Sequence, residues 1–231
     1  MTKIILCGYR DWAWKIFKSI EKHPNVSVLD IITSHEEYIQ KEENFNEEID
    51  IILFVGWSWI IPAYTTGKFL CLGIHPSNLP NYRGGSPLQH QIINGIEKTK
   101  VTLMTLSSEK IDAGDIWIQE DFDLSGDNMI EIFNNLAQSS IKMLNSFFDR
   151  FPNILPQKQN ISLGSYFKRR TQKQSELTKD QLQNLSLKEL YNFIRALTDP
   201  YPNAFIEDDQ GNKLFFKHVV YQPAKDNIKI K

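Results

Sequence analysis

The sequence lacks the features that mark membrane, secreted and disulfide-stabilised proteins. It holds two cysteines in 231 residues, Cys7 and Cys71, and both lie inside apolar runs, which predicts buried core residues in a reducing compartment. No apolar run reaches the roughly 18 residues that a membrane helix needs. Met1-Thr2-Lys3 leads directly into an apolar run without a signal-peptide pattern, so the expected location is the cytoplasm and no membrane partner is expected.

The sequence also lacks a broad excess of positive charge. Its net charge is −2, with 14 Lys/Arg against 20 Asp/Glu over residues 1–164 and 12 against 8 over residues 165–231. Part of the C-terminal excess is the run Lys168-Arg169-Arg170. Nucleic-acid binding needs a wide basic surface that displaces counterions, whereas a short cluster suits a few phosphates. The balance predicts no nucleic-acid partner and favours a small phosphorylated ligand.

The N-terminal part alternates strand-like and helix-like segments. Ile4–Cys7, Val26–Thr33 and Ile51–Val55 are apolar runs of strand length. Between the first two runs, apolar residues recur at helical spacing behind Asp11, a candidate N-cap. This order of elements predicts a parallel α/β sheet.

Further elements follow as far as residue 160. We predict a helix over Ser86–Asn94, opened by Pro87, and a long amphipathic helix over Asp127–Phe151. The acidic stretch Glu36–Glu48 has no clear period and is predicted to be a loop or a poorly ordered surface segment. The remaining apolar runs are three predicted strands: Phe69–Ile74, Val101–Leu106 and Ile116–Phe122.

Two prolines, Pro152 and Pro156, end the long helix and suggest a domain boundary near residue 160. We therefore predict a catalytic domain over residues 1–158 and a small C-terminal domain over residues 159–231. The fold class is α/β with a mostly parallel sheet, and the small domain is an α+β hairpin unit.

The C-terminal part carries its own signals. The capping box Ser186-x-x-Glu189 predicts a helix over Leu187–Leu197. Ala204–Glu207 and Lys213–Tyr221 flank a polar turn and predict a hairpin. A hairpin of this length is marginal alone, so we expect it to pair two chains in a homodimer. The apolar residues expected to need that partner are Phe215, Val219 and Tyr221.

Two polar turns are candidate parts of an active site. His75 follows a predicted strand, and in an open α/β sheet ligands bind beyond the carboxyl ends of strands. A histidine there suits a proton shuttle or an oxyanion donor, although it also suits hydrogen bonding to loop backbone groups. The turn that opens with Asp112 lies between two apolar runs, and fits either a catalytic carboxylate or an ordinary turn.

A specific resemblance joins these two turns. The carrying motifs are His75-Pro76-Ser77-Asn78-Leu79-Pro80, Tyr82-Arg83-Gly84, Ser86-Pro87, Asn94-Gly95, Val101-Thr102 and Ile111-Asp112-Ala113-Gly114-Asp115-Ile116. Their order and spacing over about residues 1–125 resemble the catalytic domain of 10-formyltetrahydrofolate-dependent formyltransferases. The resemblance implies a Rossmann-like domain, with the formyl-folate lying across the strand ends as co-substrate and no metal ion.

The resemblance also implies catalytic roles. His75 would donate toward the oxyanion, and Asp112 would orient the amine or accept its proton. The family's catalytic Asn falls on Gly73, which has no side-chain donor. A backbone N–H, water or Asn78 would then replace it, and Ser77 would hold the imidazole.

We also predict two groups of binding residues, one for the folate and one for the acceptor. The residues expected to bind folate are Trp57, Ser58, Arg83, Gly84, Gly85, Ile111, Gly114 and Asp115. The residues expected to bind the acceptor are Tyr9, Arg10, Tyr166, Lys168, Arg169 and Arg170. Alternatively, Trp57 and Trp59 belong to the core or to a dimer surface, and the basic run is a solvated turn.

The acceptor is predicted from the C-terminal part. Tyr166–Thr171 and Ile194–Phe205 resemble segments of amino-sugar formyltransferases, whereas the tRNA enzymes have a larger C-terminal domain than the roughly 70 residues that follow this boundary. We therefore expect formylation of a nucleotide-linked amino sugar, for lipopolysaccharide or surface glycan biosynthesis. The alternatives are formylation of methionyl-tRNA or glycinamide ribonucleotide, and an inactive binding protein, which Gly73 motivates. No Gly-x-Gly-x-x-Gly motif is present, so NAD binding is not expected.

Overall fold

The computed structural model describes residues 1–224. The first half contains β1 Thr2–Cys7, α1 Asp11–Ile20, β2 Val26–Ile32, α2 His35–Glu42, β3 Ile51–Phe54, α3 Ala63–Lys68, β4 Leu70–His75, β5 Arg83–Gly84, α4 Pro87–Ile93 and β6 Lys98–Thr105. The second half contains β7 Ile116–Asp123, α5 Met129–Arg150, β8 Tyr166–Phe167, α6 Lys179–Asn184, α7 Leu187–Arg195, β9 Ala204–Glu207 and β10 Lys213–Phe216. Within residues 1–224, no helix is both long and apolar enough to cross a membrane.

Six strands form the central sheet in the order β2-β1-β3-β4-β6-β7. β1 pairs in parallel with β2 and β3, and β3 pairs in parallel with β4. β6 is antiparallel to both of its neighbours. The predicted α/β fold with a mostly parallel sheet is therefore confirmed. The strand order reverses between β1 and β3, and this switch point leaves a crevice at their carboxyl ends.

Both faces of the sheet are covered. Side chains of a strand alternate between the two faces, so neighbouring residues of β1 belong to different cores. Ile4 and Leu6 of β1 belong to the larger apolar core, which α1 and α5 cover. Ile5 and Cys7 belong to a second, smaller core that contains Tyr38 of α2. Cys7 and Cys71 are free and buried, as predicted, and burial raises the pKa of the Cys71 thiol to about 12.

Two local predictions in the N-terminal part are wrong. Residues 35–42 form helix α2 instead of a loop, because Ser34 caps the helix by accepting a hydrogen bond from Glu37 N, and Lys41 pairs with Glu37 one turn apart. Asp11 is the first residue of α1, and its N-cap is Arg10, which makes no side-chain capping bond. Asp11 instead places its negative charge near the positive end of the helix dipole.

The C-terminal segments pack on the catalytic part and share its larger core. Leu177, Phe193, Leu197 and Ala204 are buried in the same cluster as α1 and α5. The capping box at Ser186 is formed as predicted and starts α7. The division at residue 158 stays a prediction, and its second part extends to residues 225–231, which lie outside those described.

The C-terminal hairpin is shorter than predicted. Its second strand, β10, ends at Phe216 and not at Tyr221. Val219 packs against the larger core, and the Tyr221 ring lies 5.5 Å from that of Tyr191. These two residues therefore find apolar partners within their own chain, contrary to the expectation that they need a second one.

Candidate active site

His75 is buried at the end of β4, and both of its ring nitrogens face hydrogen-bond acceptors. Nε2 lies 2.8 Å from the Tyr82 carbonyl oxygen, and Nδ1 lies 3.4 Å from Asp112 Oδ2. A carbonyl oxygen only accepts, so Nε2 carries a proton and donates it. In a neutral ring, Nδ1 is then the unprotonated nitrogen beside the carboxylate. The ring nitrogen with a free lone pair therefore faces Asp112.

A clamped turn positions Asp112. Asp112 has a left-handed φ of 50°, and its Oδ2 accepts a hydrogen bond of 2.8 Å from Gly84 N. Gln159 Nε2 donates to the carbonyl oxygens of Asp112 and Gly114, at 3.1 and 2.6 Å. A Cβ on Gly114 would lie 1.8 Å from Thr105 O, so the second residue after Asp112 must be glycine. The turn thereby holds the carboxylate against His75.

Three polar side chains hold the loop that follows His75. Gln91 Nε2 donates to Pro76 O at 2.8 Å, and Thr102 Oγ1 donates to Ser77 O at 2.7 Å. Gln119 Nε2 donates to Thr102 Oγ1 at 2.9 Å and contacts the next part of the loop. Gln91 and Thr102 are fully buried. The carbonyl groups of the loop are therefore bonded both to helix α4 and to the sheet.

The structure corrects two predicted roles in this loop. Ser77 does not hold the imidazole, because its hydroxyl donates to the Asn81 carbonyl at 2.7 Å. Asn78 is exposed, and its carbonyl accepts a turn hydrogen bond from Asn81 N. Its amide is therefore not in a water-excluded pocket and does not replace the family's Asn.

Leu106 occupies the space where a side chain at position 73 would lie. A Cβ built on Gly73 would lie 2.6 Å from Leu106 Cδ2 and 3.0 Å from its Cγ. Leu106 follows β6, and its N–H donates to the Cys71 carbonyl at 2.8 Å. The position that the family fills with a side-chain donor is thus covered here by an apolar side chain.

The residues predicted to bind folate do not form one group. Trp57 is half-buried and packs on Tyr38 and Phe54, which matches the alternative of a core role, whereas Ser58 lies with the acceptor residues described below. The amide of Gly84 is bonded to Asp112 and that of Gly85 to the Phe167 carbonyl, so neither amide is available to a ligand.

Other members of the predicted folate group remain open to a ligand. Arg83 Nε is buried and has no hydrogen-bond partner among the described residues. Ile111 is exposed beside Asp112, and Asp115 is partly exposed. The folate roles of these side chains stay predictions.

Part of the predicted acceptor group lies together at the switch-point crevice. The Tyr9 hydroxyl is 2.7 Å from Ser58 Oγ, and the Arg10 guanidinium lies 4.6 Å from the Tyr9 ring. Arg169 Nη2 donates to Ser58 Oγ at 3.4 Å. Residues from the ends of β1 and β3 and from the C-terminal segment therefore meet here.

The other predicted acceptor residues have different surroundings. The Arg170 guanidinium stacks on Phe193, 5.7 Å from its ring, and donates to the Gln174 carbonyl. Arg170 is thus occupied by the C-terminal segment and is not a member of the crevice group. Tyr166 and Lys168 are exposed, and the Lys168 carbonyl accepts a hydrogen bond from His90.

Tyr201 is a further residue beside the crevice that the motif analysis did not select. Burial raises the pKa of the Tyr201 phenol, while Gln89 and the positive charges of Arg10 and Arg169 act in the opposite direction. The phenol therefore lies near both arginines. Within residues 1–224, no group of three or more His, Cys, Asp or Glu side chains is placed to hold a metal ion.

Comparison with known proteins shows which family the chain resembles. The family model described as formyl transferase matches residues 19–144. A methionyl-tRNA formyltransferase from Campylobacter jejuni is 29% identical over 90% of this chain and 77% of its own length. Alignments with such relatives span between 43 and 83% of the relatives' lengths.

Solved structures share the fold. The methionyl-tRNA formyltransferase from Clostridium thermocellum superposes with a TM-score of 0.83 and 32% identity, over 97% of this chain and 96% of that one. A sugar N-formyltransferase from Shewanella superposes with a TM-score of 0.74 and 18% identity, over 97% of this chain and all of that one. At 18% identity, the similarity to the Shewanella protein shows a shared fold and no more.

Proposed function

We propose a function on the premise that this chain belongs to the formyl transferase family, whose model matches more than half of its residues. The chain is a formyltransferase, and its formyl donor is 10-formyltetrahydrofolate. We propose that the acceptor is the amine of a nucleotide-diphosphate-linked amino sugar in the cytoplasm, used in surface glycan biosynthesis. The observation that carries the chemistry is the pair of buried His75, at the carboxyl end of β4, and partly buried Asp112.

The reaction needs proton movement and oxyanion stabilisation. The acceptor nitrogen forms a bond to the formyl carbon, the bond from that carbon to the folate nitrogen breaks, and one proton moves from the acceptor nitrogen to the leaving nitrogen. His75 Nδ1 and the Asp112 carboxylate together take up and return this proton. Once protonated, Nδ1 also donates to the oxyanion, which matters more here because Gly73 supplies no side-chain donor.

Two features fit the folate donor. Arg83 is partly exposed, and its Nε has no hydrogen-bond partner within residues 1–224, so a small rotation of the guanidinium would let it bond to a ligand carbonyl or carboxylate. Trp59, which is partly exposed next to Trp57, offers an aromatic face to a flat ring system.

The crevice supports the choice of a phosphorylated acceptor. The Arg10 guanidinium lies 4.6 Å from the Tyr9 ring. Arg169 donates to Ser58 Oγ, which lies 2.7 Å from the Tyr9 hydroxyl. Arginine pairs with phosphate oxygens through several donors, and a tyrosine ring stacks on a base or sugar. Two arginines suit a diphosphate, and residues 1–164 carry more acidic than basic side chains, which disfavours a large nucleic acid.

Methionyl-tRNA is the second candidate acceptor. It is favoured by relatives that bear that name at 29% identity, and by a solved methionyl-tRNA formyltransferase at 32% identity. An assay with both acceptors separates the two candidates.

The test is an acceptor panel. The purified chain is mixed with 10-formyltetrahydrofolate and with uridine-, thymidine- or guanosine-diphosphate amino sugars, methionyl-tRNA or glycinamide ribonucleotide, and tetrahydrofolate release is measured. We expect release with a nucleotide amino sugar, and a raised KM for that acceptor in Arg169→Ala but not in Lys173→Ala, an exposed control. Turnover of methionyl-tRNA alone overturns the acceptor, and no turnover with any amine overturns the activity.

A further inference from the structure

A short C-terminal segment, Gly164–Arg170, lies against the loop that completes the catalytic pair. We call this segment the strap. Tyr82 N donates to Ser165 Oγ at 2.9 Å, and Arg83 N donates to Ser165 O at 3.0 Å. Gly85 N donates to Phe167 O at 2.9 Å, so that β5 and β8 form a two-stranded parallel ladder. The loop residues on one side of this ladder are the ones that contact His75 and Asp112.

The strap and the loop approach too closely to move independently. A Cβ on Gly84 would lie 2.2 Å from the Phe167 carbonyl oxygen. The rings of Tyr82 and Phe167 stack with centroids 5.0 Å apart and planes 10° apart. The His90 ring also stacks on Phe167, with centroids 4.6 Å apart, and donates to the Lys168 carbonyl. Displacement of the strap would therefore displace the backbone of residues 82–84.

Tyr82 connects the strap to His75 through its backbone. Its φ is 56°, a left-handed conformation that costs a residue with a side chain about 1–3 kcal/mol and persists only when neighbours hold it. Two hydrogen bonds hold it: its N–H donates to Ser165 Oγ, and its carbonyl accepts from His75 Nε2. Ser165 is the one side chain of the strap bonded to the residue that fixes the imidazole.

The His75 ring has two competing acceptors. The Tyr82 carbonyl favours the proton on Nε2, whereas the Asp112 carboxylate favours it on Nδ1. A neutral ring satisfies one of them only. A ring with its single proton on Nδ1 is unable to accept a proton there from the attacking amine. The placement of the Tyr82 carbonyl therefore selects the tautomer that is competent for catalysis.

We propose that Ser165 is a positioning residue for formyl transfer, because it fixes Tyr82 and thereby the His75 tautomer with its proton on Nε2. This proposal rests on the proposed function, in which Nδ1 is the proton acceptor. Ser165 acts through Tyr82, so its effect falls on the rate of chemistry and not on binding.

The test compares variants at Ser165 with a neighbouring control. Ser165→Ala removes the acceptor, Ser165→Thr keeps it, and Ser165→Cys replaces it with a weaker one of similar size. Ser162→Ala is the matched control, since the exposed Ser162 hydroxyl bonds to Asn160 Oδ1 and to no other residue in the described range. Each variant is assayed for kcat and for both KM values, and the ring ¹⁵N shifts of His75 are recorded at a pH where the ring is neutral. His75→Gln assigns the signals among the five histidines.

We expect Ser165→Ala to lower kcat about three- to tenfold, the effect of one lost hydrogen bond, with both KM values unchanged. The ¹⁵N shifts should change from the Nε2–H tautomer to a mixture of both. Ser165→Thr should restore kcat and the tautomer, Ser165→Cys should lie between, and Ser162→Ala should match wild type.

Wild-type kcat and tautomer in Ser165→Ala overturn the proposal, and so does an equal loss in Ser162→Ala. If Ser165→Ala fails to fold, a wild-type tautomer in Ser165→Cys overturns it instead. If no amine is formylated by the wild-type chain, the proposed function fails, and the ¹⁵N shifts still decide whether Ser165 sets the tautomer.

Discussion

At the scale of single residues, the proposed reaction depends on the pair formed by His75 Nδ1 and the Asp112 carboxylate, which lie 3.4 Å apart. We expect His75→Ala and Asp112→Asn each to lower kcat by at least about 10²-fold, because each removes either the proton acceptor or its charge partner. Rates of tetrahydrofolate release and a thermal melt of each variant check this. A folded variant with a wild-type rate would contradict the assignment.

Gly73 and Leu106 form a second residue-scale pair. A side chain at position 73 meets Leu106, so Gly73→Asn should lower the free energy of unfolding by about 1–3 kcal/mol through overpacking. Leu106→Ala makes room, and the double variant should be more stable than the sum of the two single changes predicts. Urea unfolding of the four proteins measures this coupling, and strictly additive effects would show that the two positions do not share the space.

Site residues near the ends of predicted strands could be predicted from the sequence. His75 comes directly after an apolar run, Asp112 opens a turn between two such runs, and the structure brings them together. Gln159 and Leu106 were missed because their contacts, with Asp112 and Gly73, are distant in sequence and leave no local pattern. The position of the Asn78 side chain was predicted wrongly, because the direction of a side chain in a turn depends on the backbone conformation of the loop and not on its amino-acid composition.

At the scale of elements, helices were predicted well where a long apolar face exists. The period of α5 was visible because its buried residues recur along 22 residues. α2 buries only Tyr38, so it shows no period, and its stability depends on Ser34 and on charge pairs with Lys41. The Ser34-x-x-Glu37 spacing was the available signal for that helix.

Arg195 fixes α7 to the turn between β7 and α5. Its guanidinium is buried and donates to the carbonyl groups of Leu124 and Gly126, at 2.6 and 3.0 Å. Arg195→Met should lower the free energy of unfolding by at least about 2 kcal/mol, since buried carbonyls lose their donor. Arg150→Met, at an exposed helix end, is the control and should change it by less than about 0.5 kcal/mol. Equal effects in urea unfolding would contradict the role of Arg195.

At the scale of the whole molecule, the C-terminal segments contribute residues to the larger apolar core and also contain the strap. Leu214, Phe215 and Val220 are the exposed apolar residues near the hairpin. We expect this surface to pair two chains, so that sedimentation at micromolar concentration shows a dimer and Leu214→Glu shows a monomer. A wild-type monomer would remove the predicted interface.

The central claim is that the His75–Asp112 pair transfers a formyl group to the amine of a phosphorylated acceptor. The most direct measurement follows the formyl carbon of ¹³C-labelled 10-formyltetrahydrofolate by mass spectrometry, with a nucleotide-linked amino sugar and methionyl-tRNA present together. We predict that the label appears as an amide on the amino sugar and is absent with Asp112→Asn. Label found only in free formate, or only on methionyl-tRNA, would contradict the account.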